Sequence, residues 1–306
     1  MPYKLFILIF LFHHAVFAEV KIFRDSWGVP HIYAQTPEAA MYGFGFSQAE
    51  DGLESLLTNY RLATGTMAEI HGSKYLDHDL QQRIWGHRAR ASEKYPEIAP
   101  DVRICIEYFV LGIREFMRQH PERIPKRARE PEAQDVVALA RYVAYQTLLR
   151  QADSEYTGKP LVYETGNQWA VSAKRSVENG VLLCADPFGS FHGTLRPYEA
   201  HLHSRTLNAF GFAVLGLPVF STGHNQTLGW SALSGGPDAA DVYEIALDSP
   251  IANRYRYDQE WAPFTRIARP LLCARGIERN AERACTNARI SVRLFIATVT
   301  GPMRTG

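Results

Sequence analysis

Residues 164–169 read ETGNQW, and the chain changes character there. Upstream, apolar residues recur at helical spacing over residues 37–64, about 99–119 and about 132–150. The first of these stretches opens on Thr36-Pro37-Glu38, a capping hydroxyl, a proline for the first turn and an acid behind it. Gly43 and Gly45 within it would let another element approach closely. Downstream, strand-like runs at 168–173, 180–185, 200–202, 207–215, 227–232, 242–247 and 290–299 are separated by Gly, Asn and Asp. Ahead of everything, EVKIFRDSWGVPHIYA (19–34) begins with alternation and turns at Gly28-Val29-Pro30, which predicts a strand pair. Helices first and strands afterwards give an α+β or layered fold with a helical N-terminal part. The expected organisation is a leader at 1–18, a helical part at 19–160 and a strand-rich part at 161–306.

The bulk numbers allow this and exclude other classes. The chain has 306 residues, 46% hydrophobic and 21% charged, enough to bury a sizeable core. A net charge of +1 gives no global field to recruit nucleic acid. The basic run RIPKRAR (123–129) contains a proline and reads as a solvated loop. At the N-terminus, Lys4 is followed by apolar residues 5–12 and then by Val16-Phe17-Ala18, the small-residue pattern of a cleaved secretory signal peptide. That apolar run is too short to span a bilayer, and an uncleaved anchor is the alternative. A periplasmic or secreted location follows, with no membrane attachment once the leader is removed. Disulfides are then permitted, and Cys273 and Cys285 flank a charged stretch that a bridge would close. Cys105 and Cys184 lie in apolar settings and are expected to be buried thiols.

Generic motifs are few. No phosphate loop, dinucleotide fingerprint, HExxH or GxSxG stands in the sequence. His192, His201 and His203 invite a metal reading, yet His201 and His203 alternate along a strand without a fourth ligand, so half-buried strand histidines are the expectation.

Several blocks together are more specific. RDSWGVPHIYA (24–34) and YGFGFSQAEDGL (42–53) resemble the opening segments of the penicillin acylase (penicillin amidase) family. NQWAVSAKRSVENGVLLCADP (167–187) and GLPVFSTGHNQTLGWSALSGGPDAADVYEI (216–245) resemble the start of that family's second chain. The blocks stand in the family's order and spread over nearly all of residues 19–306.

The resemblance implies an N-terminal nucleophile hydrolase with a four-layer αββα sandwich, acting on acyl amides in non-peptide linear C–N bonds. β-Lactam side chains, acyl-homoserine lactones and lipopeptides are the substrates it implies, the first linking it to antibiotic metabolism. Such precursors cut themselves before a serine and work as two chains. The serine hydroxyl attacks the amide carbonyl, and its own α-amine takes the proton through a water. An α-amine titrates near ~8, so it can serve as a base where an internal amide nitrogen cannot. The family's serine precedes Asn-x-Trp, and Gly166 occupies that place here, before Asn167, Gln168 and Trp169. Thr165 is the adjacent residue with a hydroxyl to substitute, though a one-residue shift in a strand turns a side chain to the opposite face.

Other roles carry over by the same resemblance. The backbone N–H at Ser234 maps to an oxyanion donor, with Leu233 where the family has threonine, and Phe188 stands in the family's Asp-Pro-His turn. Glu155, Asp238, the Ala240 carbonyl and Asp241 map to calcium ligands, with solvated turn aspartates as the alternative. The asparagine completing the oxyanion hole and the later core strands map past residue 306, so the sandwich is expected to be incomplete. Two functional classes follow: a secreted acyl-amide hydrolase, or a catalytically inactive relative acting as a binding protein.

Overall fold

The computed structural model describes residues 19–161, 166–186, 192–233, 240–244, 246–249, 254–257 and 259–263. The leader, Thr165, Phe188, Ser234, Asp238, the Cys273–Cys285 pair and the strand expected at 290–299 lie outside them.

β1 (Lys21–Arg24) and β2 (Pro30–Tyr33) form the antiparallel pair expected of the first segment. Their turn is built on Asp25, whose carboxylate accepts from the Trp27 and Val29 N–H groups at 2.8 and 2.9 Å, and Gly28 takes the left-handed φ of 83°. α1 (Pro37–Thr64) starts where Thr36 predicts, with the Thr36 hydroxyl accepting from the Ala39 N–H at 3.2 Å.

Three short helices follow, α2 (Ala68–His71), α3 (Leu76–Trp85) and α4 (His87–Lys94). α5 (Pro100–Gln119) and α6 (Ala133–Thr157) are the other long helices, α6 running further than its sequence pattern indicated. Glu132 and Asp135 start α6 with a reciprocal capping box.

The strands after residue 166 are β3 (Asn167–Val171), β4 (Leu182–Asp186), β5 (Pro197–His203), β6 (Asn208–Val214), β7 (Phe220–Asn225), β8 (Gly229–Trp230), β9 (Arg254–Tyr257) and β10 (Glu260–Pro263). One six-stranded sheet runs β1-β2-β5-β6-β7-β8, in which β2 and β5 are parallel and the other neighbours antiparallel. β3 with β4 and β9 with β10 make separate two-stranded sheets.

The main sheet therefore takes strands from both sides of residue 160. Ile32, Ala200, Leu202 and Ala213 on one face join Phe44, Leu53 and Leu56 of α1 in the core, together with residues of α5 and α6. α1 and α5 approach through glycines: a Cβ on Gly45 would sit 1.9 Å from the Phe109 carbonyl oxygen, and one on Gly112 1.9 Å from that of Tyr42. The fold is α+β with a helical N-terminal part.

Some expectations need correction. Residues 242–244 and 246–247 form no strand beyond an isolated Leu247–Tyr255 bridge, and the 227–232 run shrinks to β8. Cys105 and Cys184 are free thiols as expected but only half-buried. The 123–129 run is a largely exposed loop as expected, anchored where Arg123 donates to the Glu50 carbonyl at 2.8 Å and Arg129 bonds the buried Asp135 carboxylate at 2.9 Å.

Candidate active site

Gly166 is half-buried and directly precedes β3. β3 pairs with β4 in the register Asn167↔Asp186, Trp169↔Cys184 and Val171↔Leu182. This hairpin abuts the end of the main sheet, since a Cβ on Gly229 of β8 would lie 2.7 Å from the Leu183 side chain. The Asn-x-Trp stretch that follows Gly166 is thus held in regular strand, in a hairpin beside β8.

Three buried side chains of α1, Gln48, Asn59 and Tyr60, hold the segment entering β7. Gln48 of α1 accepts from the Gly216 N–H at 2.7 Å and donates to the Leu217 carbonyl at 3.2 Å. Asn59 donates to the Leu215 carbonyl at 2.8 Å and accepts from the Leu195 N–H at 3.0 Å. The Tyr60 hydroxyl donates to the Gly216 carbonyl at 2.8 Å, and burial raises its pKa, with Asp135 adding to the shift. Gln48, Asn59 and Tyr60 each have partners, so these contacts fix α1 against the strands rather than leaving a reactive centre.

A second cluster joins the two opening blocks. Arg24 of β1 bonds Glu50 at 2.5 Å and Asp51 at 2.9 Å, and Asp51 accepts the Tyr198 hydroxyl at 2.6 Å. Burial opposes the charge on Arg24, but the two carboxylates more than offset it and keep the guanidinium protonated. Burial, then the bond to Asp51, raises the Tyr198 phenol. Sequence reasoning missed this cluster; the recurrence of charge inside RDSWGVPH and SQAEDGL was its visible signal.

Of the expected metal ligands, Glu155 on α6 meets the segment that carries Ala240 and Asp241. The Glu155 carboxylate accepts from the Val242 N–H at 3.1 Å, and Asp241 accepts from the Tyr243 hydroxyl at 3.2 Å. Among the described residues no group of three or more His, Cys, Asp or Glu is gathered as a metal site. His201 and His203 lie half-buried on β5 as expected.

Residues 19–303 match the family model described as penicillin amidase. The chain belongs to the penicillin amidase family. Among curated relatives, this penicillin amidase family chain is 23% identical over 295 residues to acyl-homoserine lactone acylase PvdQ of Pseudomonas fluorescens, covering 83% of the chain and 38% of that protein. The PvdQ acylase of Pseudomonas putida is 25% identical over 290 residues, 81% of the chain and 37% of that protein. Penicillin G acylase of Escherichia coli is 37% identical over 102 residues, 33% of the chain and 12% of that protein.

A solved thermostable penicillin G acylase from Alcaligenes faecalis aligns at 23% identity with a TM-score of 0.38, covering 47% of this chain and 86% of that one. A likeness at that score adds nothing to the fold assignment. The chain spans about two-fifths of the length of the curated PvdQ relatives it matches. Among the described residues no helix is long and apolar enough to cross a membrane.

Proposed function

We propose that this penicillin amidase family chain is built on a scaffold for hydrolysing linear, non-peptide acyl amides, and that Gly166 stands where the nucleophile would be. The observation supporting the reading is Gly166 directly ahead of Asn167 and Trp169, which lie in the paired strand β3. A glycine brings no hydroxyl to a carbonyl carbon. Even if the chain were cut before Gly166, the new α-amine would be a base without a nucleophile to serve. As its sequence stands, the chain binds acyl amides of the acyl-homoserine lactone or β-lactam side-chain class without turning them over through residue 166. Ser234 supplies the backbone oxyanion donor in this reading.

A second reading is favoured by the hydroxyl next door. Thr165 exposed by cleavage after Glu164 would hold both nucleophile and amine. The family's register argues against it, because it places the nucleophile one residue later, at position 166. A panel of chromogenic acyl amides separates the two. We expect background hydrolysis from the native chain and from Thr165→Ala alike; turnover abolished by Thr165→Ala would establish the second reading.

The same family frame proposes a structural calcium ion on Glu155, Asp238, Ala240 and Asp241. The meeting of Glu155 with the 240–243 segment supports it, and oxygen donors suit a hard cation. Calcium should raise the unfolding midpoint of the native chain and leave Asp241→Ala unmoved; equal midpoints with calcium and with chelator would remove the ion from the account. Export to the periplasm or medium, with two chains arising from one precursor in processed relatives, completes the proposal.

A further inference from the structure

The face of the main sheet turned away from the helices carries a row of rings. β2 and β5 run parallel with His31 opposite His201. Their neighbours Ile32 and Leu202 are buried toward α1, so alternation sends both imidazoles to the open face. There the two Nδ1 atoms stand 3.1 Å apart, with ring centroids 5.2 Å apart and planes at 82°.

The outer nitrogens decide what lies between the inner ones. His201 Nε2 is 2.8 Å from the Asn208 amide oxygen, an acceptor, so it carries the proton. His31 Nε2 faces the Asp25 carboxylate at 3.6 Å, which also favours a proton there. Each neutral ring then presents its Nδ1 lone pair to the other, and two acceptors at hydrogen-bond distance repel unless a cation stands between them.

We propose that His31 and His201 form a two-histidine site for a divalent transition metal of the zinc, nickel or copper type. Imidazole nitrogens about 2.0–2.1 Å from one ion stand about 2.9 Å apart at a right angle and about 3.4 Å apart at the tetrahedral angle. The observed 3.1 Å lies between these values. Asn208 and Asp25 supply the outer contacts that fix ring orientation and tautomer around such an ion. The carboxyls of Asp25 and Glu199 stand on this face, and burial first, then the Asp25 charge, raises Glu199. The His31 side chain is 28% exposed, so solvent ions reach it. Among the described residues no third His, Cys, Asp or Glu joins the pair, so water completes the coordination and the ion exchanges readily.

The competing occupant is a proton on one Nδ1, donated to the other ring.

Untagged full chain, titrated calorimetrically with Zn2+ at neutral pH, tests the site. We expect one ion per chain, at least tenfold weaker binding in His31→Gln and His201→Gln, about tenfold weaker binding in Asn208→Ala, and no change in His224→Gln. The electron paramagnetic resonance spectrum of the native chain with one Cu2+ should show coupling to two imidazole nitrogens, a readout that needs no variant to fold. Absence of saturable binding up to about 1 mM would mean that a proton alone fills the gap. Unchanged affinity in both histidine variants, or a copper spectrum with oxygen donors only, would place any bound ion elsewhere; each of these results overturns the proposal.

Discussion

His87 is completely enclosed, stacked edge-on against Tyr142 and Tyr145, and neither of its ring nitrogens has a hydrogen-bond partner among the described residues. Burial first, and then the Arg141 charge, lower its pKa from 6.5 to about 4. The folded chain thus holds this ring neutral where the unfolded chain protonates it. The stability that depends on neutral His87 is complete above about pH 6.5 and drains away as pH falls toward about 4, reaching on the order of 3 kcal/mol. His87→Phe keeps the edge-on ring contacts and removes the titration. Its urea midpoint should change less than the native midpoint between pH 7 and pH 4; parallel curves for the two proteins would show that other groups govern the acid side. Residues of this kind differ in how visible they are in sequence. The reading of Gly166 rests on neighbours alone, since Asn167 and Trp169 frame it within three positions. His31 and His201 were not legible, because 170 residues separate partners that only the β2–β5 pairing brings together.

At the scale of elements, legibility tracked whether a signal was local. Thr36 and Pro37 announced α1, and the Gly28 turn announced the β1–β2 pair, because caps and turns are written in consecutive residues. α2, α3 and α4 were missed because remote polar bonds hold them more than an apolar stripe does. The buried Asp79 carboxylate of α3 accepts from the Met67 and Ala68 N–H groups at 3.0 and 2.7 Å, and so fixes the start of α2. Likewise Arg88 of α4 reaches the buried Asp135 carboxylate at 3.0 Å. β7 was missed because FSTGHN has the composition of a turn, yet Gly211 and Gly223 lie opposite each other across β6 and β7 with no room for a side chain. The α1–α5 contact obeys the same logic and gives a sharper test. A Cβ at Gly112 would press on the Tyr42 carbonyl, where only backbone movement makes room. Gly112→Ala should destabilise the chain by about 3 kcal/mol in urea unfolding despite alanine's better helix propensity. A neutral or stabilising result would mean that α1 and α5 separate without loss.

For the whole molecule, the sheet order matters more than any single element. β1 and β2 from the helical part sit beside β5, and Gln48, Asn59 and Tyr60 of α1 bond the backbone of residues 215–217. Strand pairing and buried hydrogen bonds therefore cross the Glu164–Gly166 boundary many times. A chain cut at that boundary would stay assembled, and neither its size in native solution nor its cooperative unfolding would reveal the cut. Mass under denaturing conditions is the measurement that answers the question. Self-cleavage in this family's manner needs a hydroxyl at the new N-terminus to attack the preceding carbonyl, and Gly166 offers none. We expect one uncut mass spanning residues 164–166, unchanged on prolonged incubation. Two masses divided before Thr165 would assign the attack to the threonine hydroxyl. Division before Gly166 itself would require a separate protease, because glycine has no atom with which to begin the reaction.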